Sequence, residues 1–183
     1  TGRQLDKAAI NPGVSRELRH QLANGSIVGM PGCGKSTVGA ALAKRLDKKF
    51  VDLDAEIERR TGHNLPDIFA QEGEAAFRRY ETDVLAEVAK SNSQVIACGG
   101  GVIKSPANTR ALRQNGPVLW VRRPLEALAT GGRPLSKGGA ALKQLEAERT
   151  PLYEAASTVV LENNGSLTAA VDKAVQLFEA DER

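Results

Sequence analysis

Gly29-Met-Pro-Gly-Cys-Gly-Lys-Ser-Thr37 fits the phosphate-binding pattern Gly-x-x-x-x-Gly-Lys-Ser/Thr at every fixed position. The apolar run Ser26-Ile27-Val28 precedes it, and Val38, Ala41, Leu42 and Leu46 follow at helical spacing. Strand, glycine loop and helix are the context in which this motif works. Its glycines let backbone N–H groups turn onto phosphate oxygens, and the helix start adds partial positive charge. Gly32, Cys33, Gly34, Lys35, Ser36 and Thr37 are therefore the candidate phosphate ligands. Lys35 is expected at the outer phosphates, and the Ser36 hydroxyl is placed to hold Mg²⁺.

The rest of the composition narrows the class. One domain suits 183 residues, and 41% hydrophobic residues can bury a core filled with aliphatics, since aromatics make up only 4%. A net charge of +3 is too mild to argue for nucleic acid, and no basic stripe is interleaved with aromatics. Two cysteines, Cys33 and Cys98, make no disulfide framework, so a reduced, cytoplasmic setting is expected. No apolar run reaches the length of a signal or membrane segment. Residues 1–24 read as a linker or tail with a short helix at Ser15–Leu22, ahead of one domain over 25–183.

Apolar runs and helical patterns then alternate. Strands are expected at Phe50–Asp52, Gln94–Cys98, Val118–Val121 and Thr158–Leu161. Helices are expected at Ala55–Arg60, Glu74–Lys90, Ser105–Gln114, Ala140–Arg149 and Leu167–Phe178, with Pro151 stopping the fourth of these. This alternation predicts an α/β fold in three layers, a five-stranded parallel sheet with helices on both faces. Ligands in such sheets sit beyond the carboxyl ends of the strands.

Those strand ends carry chemistry. Asp52-Leu-Asp54 puts two carboxylates on the same side of an extended chain. Phosphoryl transfer needs one acid for the metal and another for the attacking hydroxyl. Asp52, nearer the strand, suits Mg²⁺, and Asp54 suits the acceptor; a helix cap from Asp54 is the bland alternative. Gly99-Gly-Gly101 after the third strand allows close backbone approach to a substrate. Arg78 and Glu81 can pair at i,i+3, and Arg78 either grips an anionic acceptor or makes a surface ion pair. Gly131 to Gly139 flanks Arg133 with paired glycines, as a mobile lid (about 131–140) or a plain solvent loop. Arg149 either contacts the same anion or complements a helix C-terminus. Cys33, at a helix start, is expected to favour thiolate and to react with thiol reagents unless ATP protects it.

Together the phosphate loop, Asp52-Leu-Asp54, Phe77-Arg78 with Glu81, the triple glycine, Arg133-Pro-Leu and Arg149-Thr-Pro-Leu-Tyr153 resemble the shikimate kinase family, in order and in spacing, from about Ser26 to Leu161. The resemblance implies a P-loop kinase fold like that of nucleoside monophosphate kinases, with five parallel strands and a lid. It implies transfer of the γ-phosphoryl of ATP to the 3-hydroxyl of shikimate, on the route to chorismate and aromatic amino acids. By motif, Asp54 binds the acceptor hydroxyls as the base, Arg78 and Arg149 bind the carboxylate, and the backbone at Gly99, Gly100 and Gly101 faces substrate. Lys35 and Arg133 contact phosphates, Ser36 and Asp52 serve Mg²⁺, and Glu162–Ser166 falls where the family builds its adenine loop. Shikimate and ATP are the implied partners, with no nucleic acid and no membrane. A monomer is expected, and residues 1–24 are open to being a linker within a pathway fusion. The first strand looks thin beside the family's usual four or five apolar residues. A gluconate kinase would share the loop without Arg78, the triple glycine and Arg149 together. A non-catalytic relative would not need Lys35, Asp52, Asp54 and Arg133 at once.

Overall fold

The computed structural model describes residues 15–128 and 135–181, so Arg133 and residues 131–134 of the expected lid lie outside the described residues. Five strands form one all-parallel sheet: β1 (Gly25–Val28), β2 (Lys49–Asp52), β3 (Gln94–Ala97), β4 (Val118–Arg122) and β5 (Val159–Glu162). Their order is β2-β3-β1-β4-β5. Every residue of β1 and β3 is buried, as expected for central strands covered by helices on both faces. The thin first strand is thus the middle of the sheet. It pairs β3 on one side and β4 on the other, and these neighbours are themselves only four and five residues long, so its brevity does not weaken its anchoring.

The helices are α1 (Arg16–Leu22), α2 (Lys35–Arg45), α3 (Leu53–Thr61), α4 (Leu65–Val88), α5 (Pro106–Gln114), α6 (Leu125–Leu128), α7 (Leu135–Ala156) and α8 (Leu167–Ala180). Each of the five helical segments read from periodicity is found. Two findings differ from the sequence reading. First, α4 begins nine residues earlier than Glu74, capped by Asn64 on the Asp67 N–H at 2.9 Å. It is interrupted at Gly73, whose φ of 87° and ψ of 172° are not helical, so two helical pieces meet at an angle. The periodic apolar face belongs to the second piece, which is why only that piece was legible. Second, α7 exceeds its expected bounds at both ends: it begins at Leu135, inside the expected lid, rather than at Ala140, and Pro151 does not end it, since it runs on to Ala156. Proline removes one N–H and crowds the preceding turn. Here the turn beyond it is held by Tyr153, which is fully buried, and the tertiary contact outweighs the local rule.

The segment before β1 is bound to the amino-terminal rim of the sheet. Lys48 Nζ donates to the carbonyls of His20, Gln21 and Ala23 at 2.7, 3.0 and 2.7 Å, satisfying the bare end of α1. Asn24, 2% exposed, donates from Nδ2 to the Ser91 carbonyl at 2.8 Å and accepts from the Gln94 N–H at 3.0 Å.

Candidate active site

The opposite, carboxyl-terminal rim carries the chemistry. α1, α3, α4 and α8 start with side-chain caps from Ser15, Asp52, Asn64 and Ser166. α2 is preceded at its cap position by Gly34, which has φ 96° and no side chain to cap with. Its first N–H groups are therefore free for an anion, which is what a phosphate loop needs. Lys35 Nζ lies across the loop, donating to the carbonyls of Gly29 at 2.8 Å and Met30 at 3.0 Å. The Ser36 hydroxyl donates to Asp52 Oδ2 at 3.0 Å, joining the first strand's loop to the end of β2.

Asp52, and not Asp54, caps α3: its Oδ1 accepts from the Ala55 N–H at 3.1 Å. Asp54 sits in the first turn of α3, with Oδ1 buried and without a hydrogen-bond partner. Burial raises its carboxyl above the ordinary range, the Asp52 charge adds to that, and Lys35 and Arg78 oppose it. Glu81 is wholly buried and accepts from Arg78 Nη1 at 2.9 Å, while its Oε2 has no partner. Burial raises Glu81 as well, against the opposing hydrogen bond and charge of Arg78. The pair is an inward one, so Arg78 is not merely a surface ion-pair partner.

The triple glycine is where these groups converge. A Cβ on Gly99 would meet Asp54 Oδ1 at 2.9 Å and Glu81 Oε2 at 3.3 Å. One on Gly100 would meet Arg149 Nη1 at 2.9 Å and Pro31 at 3.1 Å, and one on Gly101 would strike the Arg78 guanidinium. The absence of side chains there lets two carboxylates and two guanidinium groups close around a single backbone turn. Lys35, Ser36, Asp52, Asp54, Arg78, Gly99, Gly100, Gly101 and Arg149, scattered over more than a hundred positions, thus stand at one rim.

Beside the loop lies a cleft of about 340 Å³ lined by Gly34, Thr37, Arg123, Asn163, Asn164 and Gly165. Asn163 Nδ2 donates to the Cys33 carbonyl at 2.9 Å, and Arg123 donates to the Gly32 carbonyl at 3.2 Å. Sequence reasoning gave these two no role in shaping the loop. Their positions just past β5 and β4 were the available signal. Cys33 does not fit its expectation. It is 1% exposed, and burial pushes its thiol up rather than down, outweighing Lys35.

A family model described as shikimate kinase matches residues 31–179. The chain belongs to the shikimate kinase family. A shikimate kinase of Aromatoleum aromaticum is 40% identical over 83% of this chain and 94% of its own. One from Nitrosomonas europaea is 40% identical over 82% of this chain and 75% of its own. The shikimate kinase of Acinetobacter baumannii, solved in complex with shikimate, superposes with a TM-score of 0.83 at 36% identity, covering 92% of this chain and 99% of that one. As a shikimate kinase, the enzyme phosphorylates shikimate in the route to aromatic amino acids. No helix among the described residues is long and apolar enough to cross a membrane.

Proposed function

We propose that this shikimate kinase moves the γ-phosphoryl of ATP to the 3-hydroxyl of shikimate with Mg²⁺, using the residues gathered at the carboxyl rim. The observation that carries the assignment is the triple glycine, whose three positions abut Asp54 with Glu81, Arg149, and Arg78. An acceptor with adjacent hydroxyls and one carboxylate suits that lining. A carboxylate is gripped by the two guanidinium groups. A hydroxyl lies against Asp54, whose unpartnered oxygen accepts its proton as the oxygen attacks. Glu81 holds Arg78 in place by their 2.9 Å pair.

On the ATP side, the uncapped start of α2 and Lys35 take the phosphates, with Gly32, Cys33, Gly34 and Thr37 contributing loop and first-turn backbone. Arg133 is assigned to the transferred phosphoryl by motif, and it lies outside the described residues, as do the lid residues around it, 131–134. The Asn163–Gly165 cleft suits adenine. The donor set fits Mg²⁺: a hydroxyl and one carboxylate, Ser36 and Asp52, already within hydrogen-bond reach, leave the remaining positions to water and phosphate. When bound there, Mg²⁺ neutralises charge on the phosphates. With Cys33 and Cys98 both free thiols, we place the enzyme in the cytoplasm, and we take it to act as a monomer.

The test is ADP release with and without shikimate, for the wild type and Asp54→Asn. Stimulation by shikimate in the wild type, lost by about a hundredfold or more in the variant, is expected. A wild type that gluconate stimulates and shikimate does not would overturn the reading.

A further inference from the structure

Tyr153 follows Arg149 by four residues on α7, one turn along the same face. It is 0% exposed, and its ring lies 5.8 Å from that of Trp120 at 30°. A buried phenol at such a spot is ordinarily a core residue whose hydroxyl finds whichever acceptor is near. Here its hydrogen-bond partner is part of the acceptor site. The hydroxyl donates to the Gly100 carbonyl at 2.7 Å. Arg149 stands one turn before it on the same helix, its charge opposes the rise that burial imposes on the phenol, and Arg149 Nη1 fills the space where a Gly100 side chain would stand. No peptide bond among the described residues is cis. With the Gly100 carbonyl held toward Tyr153, the N–H of Gly101 across the same planar peptide must point the other way, away from α7. One hydroxyl therefore fixes the roll of the glycine turn against which Arg149 rests.

We propose that Tyr153 is a positioning residue for the acceptor. It sets how the Gly99–Gly101 backbone lies against Arg149, and so tunes how well a carboxylate-bearing acceptor is held, without touching the acceptor or the nucleotide. The inference rests on the reading that Arg149 and the glycines face shikimate. It also accounts for α7 continuing through Pro151: the helix must persist one turn further to deliver the phenol.

Tyr153→Phe keeps the ring and its contact with Trp120 and removes only the hydroxyl. The shikimate KM is expected to rise about tenfold, with kcat and the ATP KM changing less than about threefold. Calorimetric titration of shikimate without ATP should show the same loss of affinity. In an Arg149→Lys background the same substitution should have much less effect, because both side chains act on the same turn at Gly100. A shikimate KM within twofold of wild type, equal losses for both substrates, or strict additivity with Arg149→Lys would each overturn the proposal. So would a variant that loses its cooperative melt, which would assign the hydroxyl to the core. If the wild type itself shows no shikimate-stimulated ADP release, the functional reading falls and takes this inference with it. An active wild type with an unaltered Tyr153→Phe removes the inference alone.

Discussion

At the residue scale, Asp54 shows how function and stability pull apart. Its carboxyl is raised above its ordinary 3.8 by burial and by Asp52. A carboxyl raised in the folded state keeps its proton there after the unfolded chain has released it. Stability therefore falls as pH climbs from about 3.8 through the folded value, and at neutral pH the ionised group destabilises the fold. Asp54→Asn should accordingly raise the thermal midpoint at pH 7 by about 2 °C or more while it removes the activity. A midpoint that drops would contradict the sign. For the same reason the acid limb of kcat/KM for shikimate should lie above the usual carboxylate range. Arg149 makes the complementary case. Arg149→Ala should raise the shikimate KM by about 10- to 100-fold, the loss of a charge-assisted contact, and alter kcat far less. Steady-state kinetics with saturating ATP decides it; an equal fall in kcat would move Arg149 from binding to chemistry.

At the scale of elements, α1 is the informative one. A seven-residue helix has little stability of its own, and none of its residues is buried. What keeps it is chiefly Lys48, reaching three carbonyls at its end, with Asn24 tying the chain into the loop before β3 and Arg16 and His20 hydrogen-bonded to the Glu179 and Asp181 carbonyls at the end of α8. Lys48→Met should release it. Hydrogen exchange of the amides in residues 16–22 should accelerate by at least about tenfold, with kcat/KM within about twofold of wild type because the clasp is at the rim opposite the site. Protection that survives the substitution would show that the carbonyl contacts are incidental. The triple glycine makes the opposite point for an irregular element. Its shape is imposed by the side chains of four other segments rather than by its own sequence.

For the whole molecule, what could be read from the sequence was what is written locally. The phosphate loop, the period-two and period-3.6 runs and the residues just past each strand needed only neighbours in the chain, so the sheet, most helices and a set of candidate residues that the fold gathers at one rim emerged. What escaped was set by partners far apart. Tyr153 meets Gly100 across 53 positions, and Asn24 meets Gln94 across 70. The capping of α3 by Asp52 rather than Asp54 was a two-residue ambiguity in where the helix begins. Pro151 misled because its local meaning is real and a buried tyrosine overrode it. Cys33 misled likewise: the helix start favours a thiolate, but a loop packed tightly enough to hold phosphate also hides the sulfur.

The break in α4 has a consequence for handedness. At Gly73 a side chain would meet nothing within 4 Å, so space does not exclude one. The exclusion lies in φ 87° and ψ 172°, a region that suits the mirror-image amino acid. Gly73→Ala should thus destabilise by about 1–3 kcal/mol despite the empty surroundings. A D-alanine placed there by chemical ligation should be accommodated and should stabilise by about 0.4–1 kcal/mol, by narrowing the unfolded ensemble. Denaturant midpoints of the two would separate chirality from crowding at a single joint, and equal midpoints would mean that the bend re-forms elsewhere.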